Sequence, residues 1–291
     1  MINLLATSSV TLLISTALLG LLIGSFLNVV IYRLPVMMQR RWETECASLQ
    51  TTDAEQSEPA DTFNLILPAS TCPDCGHKIG PFENIPLLSY LFLKGRCRSC
   101  GSPISAQYPL VELITALLSA LVAWQLGFSW EMLAALIFTW TLIALTVIDL
   151  NTQLLPDDLT LPLLWLGLLL NLGGMFTDIH SSLMGAAAGY LSLWLVYHGF
   201  KLVTGKEGMG YGDFKLLAAL GAWAGWQALP LIIILSSLLG TIIGIAMIVT
   251  GKQQRGTPIP FGPFLAGAGW TAFFWGEPIT DFYFQVSGLN P

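Results

Sequence analysis

The sequence predicts an all-α, polytopic membrane protein with about eight transmembrane helices. Its 291 residues are 54% hydrophobic and only 10% charged, with a mean hydropathy of +0.68. This composition excludes a disordered chain and an ordinary soluble domain, and it is typical of helical membrane proteins. Long apolar runs recur, whereas the short alternating segments of an outer-membrane barrel do not. We therefore expect membrane lipid, and not nucleic acid, around the chain.

The first predicted span covers about residues 8 to 31. No charged side chain precedes Arg33, so the basic region of a signal peptide is missing, and the apolar run is too long for a signal sequence. We expect an uncleaved helix that Pro35 ends, with residues 1–35 as the first transmembrane unit. Asn28 on this helix either supports close packing or faces a site.

Residues 36–107 form a long polar segment, which we interpret as a cytoplasmic domain between helices 1 and 2. Its first part, from Glu43 to Asp61, holds six acids and no Lys or Arg. Such a composition favours a solvated, mobile insert without a catalytic role. The second part carries four of the five cysteines.

Residues 108–291 are predicted to form a seven-helix membrane core. Gly225, Trp226 and Gln227 divide the run from Phe214 to Thr250, which is too long for one span. The predicted spans cover about residues 109–127, 131–149, 159–176, 182–201, 214–227, 229–250 and 260–276.

Basic residues orient these spans. With eight spans and both termini outside, all 12 Lys and Arg fall on the cytoplasmic side, seven of them between residues 33 and 107. An excess of Lys and Arg in cytoplasmic loops is the rule for helical membrane proteins. The opposite loops contain no basic residue.

Two C-x-x-C pairs, Cys72 with Cys75 and Cys97 with Cys100, are separated by 21 residues. This spacing is typical of zinc ribbons, in which four thiolates surround one ion. Disulfide or redox pairs are the alternative, which a cytoplasmic location disfavours. Because four thiolates leave no open position, we expect a structural zinc. Cys46, the fifth cysteine, is expected to be free.

Several carboxylates lie near the cytoplasmic ends of predicted spans. Asp157 and Asp158 precede a helix, where a capping role fits, and Glu112 is expected in a first turn, where it would suit the helix dipole. Asp149 is different, because it closes a helix and its charge opposes the dipole there. A costly carboxylate in an apolar setting indicates function.

Asp213 follows Gly208, Gly210 and Gly212 at the start of another span. A capping role is the alternative here, but three glycines are expected to keep the backbone unwound and open to an extended peptide. Asp149 and Asp213 share one membrane depth in this topology. Two carboxylates in a low-dielectric site divide into acid and base, which is the arrangement that activates water for amide hydrolysis. Lys215 either tunes this charge or extends to the membrane surface.

An ordered set of motifs resembles the bacterial type IV prepilin peptidases, which are bifunctional leader peptidases and N-methyltransferases among the GxGD-type intramembrane aspartic proteases. The resemblance covers nearly the whole chain. Its motifs here are Gly24–Val29 with Tyr32–Pro35, the cysteine pairs, Glu83–Tyr90, Lys94–Cys100, Tyr108–Leu113, Asp149 with Leu155–Asp157, Gly210–Leu217 and Pro260–Phe264. Gln107 departs from the family, whose members often have a basic residue there.

The resemblance implies a bacterial inner-membrane enzyme with periplasmic termini and a cytoplasmic active site. Prepilins and pilin-like secretion pseudopilins would lose a basic leader at its glycine, and the new N-terminal residue would be methylated with S-adenosylmethionine. The resemblance carries catalysis to Asp149 and Asp213 and zinc ligation to the four paired cysteines. We expect substrate or dyad support from Gly210, Gly212, Lys215 and Glu112. The oligomeric state is not indicated.

The methyl-donor site is less directly indicated by the residues. A strand-linked G-x-G-x-x-G fingerprint is missing, so a Rossmann-type cofactor site is not predicted. The cysteine-bearing segment is the natural host, with Glu83, Asn84, Gly95 and Arg96 as the expected cofactor-binding residues. Alternatively, these residues only shape the zinc fold.

Two other functions compete. A proton-coupled transporter would use membrane carboxylates in a relay, but both aspartates are expected near one face and not at the midplane. A zinc-dependent membrane sensor without chemistry would explain the cysteines but leave Asp149 unexplained.

Overall fold

The computed structural model describes residues 8–50, 63–250 and 259–288, and within them the secondary structure is helical apart from two isolated bridges. Short 3-10 turns lie at Pro81–Asn84 and Trp226–Ala228. The helices, in chain order, are α1 (Ser9–Gln50), α2 (Leu88–Phe92), α3 (Gln107–Leu126), α4 (Trp130–Thr152), α5 (Asp157–Asn171), α6 (Ile179–Thr204), α7 (Tyr211–Ala224), α8 (Leu229–Val249) and α9 (Gly262–Ser287).

The chain divides into two compact units, Met1–Ala144 and Leu145–Pro291, and the division falls within α4. All the helices except α2 correspond, in order, to the eight apolar segments predicted from the sequence. Within the described residues, α1, α3, α4, α6 and α8 are long and apolar enough to cross a membrane. A mostly helical membrane protein is thus confirmed.

The expected end of the first helix at Pro35 is wrong. Helix α1 continues through Pro35 to Gln50, so the start of the acidic segment is helical, and the rest of that segment, residues 51–61, lies outside the described residues. A proline inside a helix removes one hydrogen bond, at a cost of about 3 kcal/mol. Contacts of the residues just before Pro35 offset this cost, because Leu34 is buried and the guanidinium of Arg33 donates to the carbonyls of Asn64 and Pro68.

Close approach of α1 and α3 organises the first unit. A β-carbon at Gly20 or Gly24 would lie 2.7 Å from the α-carbon of Ala116 or Glu112, so only glycine permits this contact. The Nδ2 of Asn28 donates to the carbonyl of Tyr108 over 3.1 Å. This hydrogen bond between α1 and α3 supports the interpretation that Asn28 has a packing role.

Helix α7 is the core of the second unit, since ten of its 14 residues are buried. Side chains at Gly185 of α6 and Gly221 of α7 would collide with the opposite backbone, which lets the two helices touch. The buried Trp223 donates to the carbonyl of Leu163 in α5 over 2.8 Å. The predicted break after α7 is confirmed, because Gly225 adopts φ +81° and α8 begins at Leu229. Helix α7 itself begins at Tyr211, three residues before the predicted span.

Candidate active site

Asp149 lies in the last turn of α4, as predicted, and is only 5% exposed. Its Oδ2 accepts a hydrogen bond of 2.9 Å from the backbone N–H of Gly262, the first residue of α9. The start of a helix carries unpaired N–H groups and a partial positive charge, which favour a carboxylate. The unfavourable position of Asp149 on its own helix is therefore offset by the N-terminus of another.

Asp213 is the third residue of α7 and is 7% exposed. Gly210 occupies the capping position, so the alternative that Asp213 is the cap residue is wrong. The backbone N–H of Gly210 interacts with the Asp213 carboxylate, which therefore turns back over the start of its own helix. This geometry holds the carboxylate close to the glycine segment.

One cavity of about 260 Å³ unites the two aspartates. Since both belong to the second unit, the cavity lies within a single compact body. Its wall includes the glycine segment from Gly208 to Gly212 and the stretch before α9. The lining residues are Asp149, Gln153, Leu155, Glu207, Gly208, Met209, Gly210, Gly212, Asp213, Ile259, Pro260 and Phe261.

Of the three glycines before Asp213, Gly208 and Gly212 lie in close contact with other side chains, whereas Gly210 does not. Gly208 and Gly210 precede α7, but Gly212 lies inside it, so the expectation that all three keep the chain unwound is wrong for Gly212. Positive φ angles occur at other glycines of the chain, not at these three. A β-carbon on Gly212 would lie 2.6 Å from the Cβ of Leu155, which explains the glycine.

Lys215 pairs with Asp157. Its Nζ lies 2.7 Å from both carboxylate oxygens of Asp157, and this pair links the fifth residue of α7 to the first residue of α5. Pro156 holds the capping position of α5, so the predicted capping role of Asp157 and Asp158 is wrong, although both lie in the first turn, where the dipole favours them. Lys215 does not line the cavity.

Glu112 does not lie in a first turn, because it is the sixth residue of α3. The side chain is buried, and its Oε2 accepts a hydrogen bond of 2.8 Å from the backbone N–H of Leu87. The expected dipole interaction is therefore replaced by a direct bond to the cysteine-bearing segment. Glu112 belongs to the first unit.

The four paired cysteines converge. The Sγ atoms of Cys72, Cys75, Cys97 and Cys100 all lie within 4.8 Å of one another, and all four are free thiols. The two pairs share one fold: Gly76 donates to the carbonyl of Cys72 and Gly101 to that of Cys97, each over 2.9 Å and each with positive φ. The backbone N–H groups of Cys75 and Asp74 lower the pKa of the Cys72 thiol to about 6. Despite a backbone hydrogen bond from His77, burial and the neighbouring thiols raise the pKa of Cys75 to about 11. The fit to a metal ion therefore rests on geometry, since four sulfur atoms at these distances suit one ion bound by four cysteines.

The four residues expected to bind the methyl donor lie between the two cysteine pairs in sequence. Glu83 accepts from the N–H of Gly80 over 3.1 Å and lies 3.2 Å from His77 and 3.5 Å from Arg98. The Gly80 and His77 hydrogen bonds lower its pKa, so the ionised form is held. Gly95 adopts φ +67° against the ring of Tyr90. Asn84 and Arg96 are exposed.

Gly262 is the site residue that reasoning on single side chains missed. It contributes a backbone N–H, and the identity of a residue does not indicate that its backbone takes part in a site. The signal was present in the motif Pro260-Phe261-Gly262-Pro263-Phe264, where Gly262 and Pro263 open a helix. A β-carbon on Gly262 would lie 2.7 Å from Oδ2 of Asp149.

Comparison with known proteins gives matches over both units. Residues 18–126 match the bacterial peptidase A24 N-terminal domain, and residues 136–245 match the type IV leader peptidase family. The chain is 56% identical over 290 residues to the prepilin leader peptidase/N-methyltransferase of Pseudomonas aeruginosa, covering 100% of this chain and 99% of the relative. Proteins of the same name from Aeromonas hydrophila and Neisseria gonorrhoeae are 60% and 54% identical, covering 91% and 88% of each chain respectively. No solved structure matches the chain significantly.

Proposed function

The chain belongs to the type IV leader peptidase family, and from that premise we propose that it cleaves the leader of type IV prepilins and N-methylates the new N-terminus. Pilin-like secretion pseudopilins are the second substrate class. One observation carries the peptidase proposal: two buried aspartates from different helices line one cavity. The methyltransferase part of the proposal is supported by the name of the chain's relatives.

Asp149 and Asp213 activate water in the proposed reaction. In a low-dielectric cavity two neighbouring carboxylates do not both ionise readily, so one holds a proton. The ionised carboxylate takes a proton from water, whose oxygen forms a bond to the carbonyl carbon of the scissile peptide. The protonated carboxyl supplies the proton for the departing amine as the C–N bond breaks. The products are a leader with a free carboxylate and a mature protein with a free amino terminus.

Two features prepare the cavity for this chemistry. The Gly262 N–H keeps one oxygen of Asp149 in a fixed direction. Gly208 and Gly210 lack side chains on the cavity wall, where an extended leader junction would bind. A cavity of about 260 Å³ has room for several water molecules, each of which takes up about 30 Å³.

We infer an inner-membrane protein with eight crossings, periplasmic termini and a cytoplasmic active site. The distribution of basic residues supports this orientation. Helices α5 and α7, of 15 and 14 residues, are shorter than the roughly 20 residues of an ordinary span. Residues 1–35 and 108–291 form the membrane part in this proposal. Gly210, Gly212 and Lys215 lie on the helix start that carries Asp213 and support the dyad. Glu112 binds the polar segment 36–107 to α3.

Zinc is the ion that we propose for the four cysteines. Thiolates at this spacing favour zinc, which would brace the segment without an open coordination position for chemistry. The contacts of Glu83 with His77 and Arg98 reinforce the same two loops.

S-adenosylmethionine would supply an activated methyl group for the new amino terminus. We propose that Glu83, Asn84, Gly95 and Arg96 form its site. The exposed Asn84 and Arg96 are open to a ligand, whereas Glu83 and Gly95 build the turns beside them. Ultraviolet crosslinking of labelled donor to the wild type and to an Arg96→Gln variant tests this site independently of turnover.

The deciding experiment incubates purified protein with a prepilin and labelled S-adenosylmethionine, and mass spectrometry scores cleavage and methylation separately. Asp149→Asn and Asp213→Asn should each abolish cleavage and leave the fold intact. In the same assay, both variants should still methylate a synthetic mature N-terminus. Full processing by either variant would exclude the dyad.

A further inference from the structure

Helix α2 presents an apolar strip that the described part of the chain leaves exposed. Its residues Leu88, Leu91 and Phe92 are 51%, 69% and 82% exposed. Positions i, i+3 and i+4 fall on the same side of a helix, so the three side chains form one surface. We call these three residues the α2 strip. So much exposed apolar surface on one helical turn marks a contact with lipid or with another molecule.

Two cations follow the strip directly. Lys94 and Arg96 are exposed, and neither forms an ion pair within residues 63–250. The chain reverses between them, since Lys94 and Gly95 have φ of +52° and +67° and the Gly95 N–H donates to the carbonyl of Tyr90. This turn keeps the two cationic side chains next to α2.

A hydrogen bond sets the level of α2 along a membrane helix. The N–H of Leu87, just before α2, donates to Oε2 of the buried Glu112 over 2.8 Å. Glu112 is the sixth residue of α3, about 7.5 Å from its start at a rise of about 1.5 Å per residue. Because α3 is long and apolar enough to cross a membrane, α2 starts at the level of its first two turns.

Apolar surface on α3 extends to the same level. Leu110 and Leu113, on either side of Glu112 in sequence, are 55% and 43% exposed. On a membrane-crossing helix such side chains face lipid. The bilayer boundary and the α2 strip therefore meet at one height.

We propose that α2 is an interfacial anchor in the cytoplasmic leaflet, with the α2 strip among the acyl chains and Lys94 and Arg96 against anionic headgroups. Apolar side chains on one face and basic ones beside them are the pattern of helices that lie in a membrane surface. A basic leader peptide suits this surface less well, because Lys94 and Arg96 repel it. The proposal rests on the membrane orientation proposed above and not on the proposed chemistry.

A photoreactive side chain tests which molecule covers the strip. The full chain carries Phe92→p-benzoylphenylalanine, with Glu45→p-benzoylphenylalanine as the matched control in nanodiscs of phosphatidylethanolamine and phosphatidylglycerol. Glu45 is exposed on α1, twelve residues beyond Arg33 or about 18 Å along the helix. Lipid adducts at position 92 should exceed those at position 45 by about tenfold. Equal lipid labelling at the two positions, or adducts at 92 only with protein, would overturn the proposal.

Two further variants separate the apolar and charged contributions. Leu91→Ser with Phe92→Ser should raise amide exchange over residues 87–96 in nanodiscs by about tenfold, while the zinc content stays unchanged because both side chains are exposed. In the photoreactive protein, Lys94→Gln, which leaves Arg96 of the proposed donor site in place, should lower the dependence of labelling on phosphatidylglycerol. Unchanged exchange in the first variant, or unchanged lipid dependence in the second, would count against the anchor. Cleavage is scored in the same preparations, so a failed anchor with intact cleavage is distinguishable from a failed peptidase assignment.

Discussion

The backbone N–H of Gly262 donates to Oδ2 of Asp149 over 2.9 Å, although 113 residues separate the two in sequence. This bond joins the end of α4 to the beginning of α9. It gives a buried carboxylate a fixed direction and a favourable helix terminus. Asp149, whose charge opposes the dipole of its own helix, is thus held by the backbone of Gly262.

Gly262→Ala should therefore impair cleavage. The new β-carbon would lie 2.7 Å from Oδ2 of Asp149 and 3.1 Å from Leu155, so the carboxylate must move. A displacement of about 1 Å at a reacting group can lower the rate by about 10²-fold. Steady-state cleavage of a prepilin measures the loss.

Gly267→Ala is the matched control for that substitution. It lies on the same helix, and a β-carbon there would meet nothing within 4 Å. Its cleavage rate should equal that of the wild type. Equal rates for the two alanine variants would show that the Gly262 contact has no role in the reaction.

Gly212→Ala should destabilise the second unit even though alanine favours helices over glycine by about 1 kcal/mol. Its β-carbon would lie 2.6 Å from the Cβ of Leu155, and overpacking of this kind costs about 1–3 kcal/mol. Gly210→Ala meets nothing nearer than Oδ2 of Asp213 at 3.8 Å and should be milder. Thermal unfolding in detergent compares the two variants. A more stable Gly212→Ala protein would refute the packing explanation.

Lys215→Met should retain cleavage to within about tenfold of the wild type. The Lys215–Asp157 pair is partly exposed, at 28% and 52%, and such pairs contribute about 0–1 kcal/mol. Loss of this pair should therefore change activity far less than Asp213→Asn does. Asp157→Asn is the partner control, because it breaks the same pair and should give the same small effect. If Lys215→Met abolished cleavage while Asp157→Asn did not, Lys215 would act on the dyad itself.

Cys97→Ser should remove the bound metal. Loss of one of four thiolates opens the cluster, and structural zinc contributes on the order of 10 kcal/mol to the folding of small domains. Elemental analysis should find about one zinc per wild-type chain and far less in the variant. Proteolysis should then cut within residues 63–106.

Cys46→Ser controls for the loss of a thiol as such. Cys46 is an exposed free cysteine on α1, outside the cluster. The Cys46→Ser variant should contain as much zinc as the wild type. Wild-type zinc in Cys97→Ser would contradict the four-cysteine assignment.

Local sequence patterns predicted much of this molecule. Eight apolar runs became eight helices, and the polar break at Gly225 ends α7. The spacing of two cysteine pairs predicted a cluster whose sulfur atoms lie within 4.8 Å. Hydropathy, the positions of glycines and the spacing of cysteines are properties of residues that lie near one another in the sequence. They can therefore be recognised without knowledge of the fold.

Contacts across long sequence separations were decided only by the tertiary structure. Pro35 remains inside a helix because the buried Arg33 and Leu34 hold the turn before it. Lys215 pairs with a carboxylate 58 residues away, which its own sequence neighbours do not indicate.

The sequence by itself determined the membrane class of the chain, the cysteine cluster and the two aspartates to examine. The tertiary structure brought those aspartates to one cavity and supplied the Gly262 N–H that holds the first of them. The physical reason is that a buried carboxylate depends on whatever packs against it. For Asp149 that neighbour is the start of α9, at the far end of the chain.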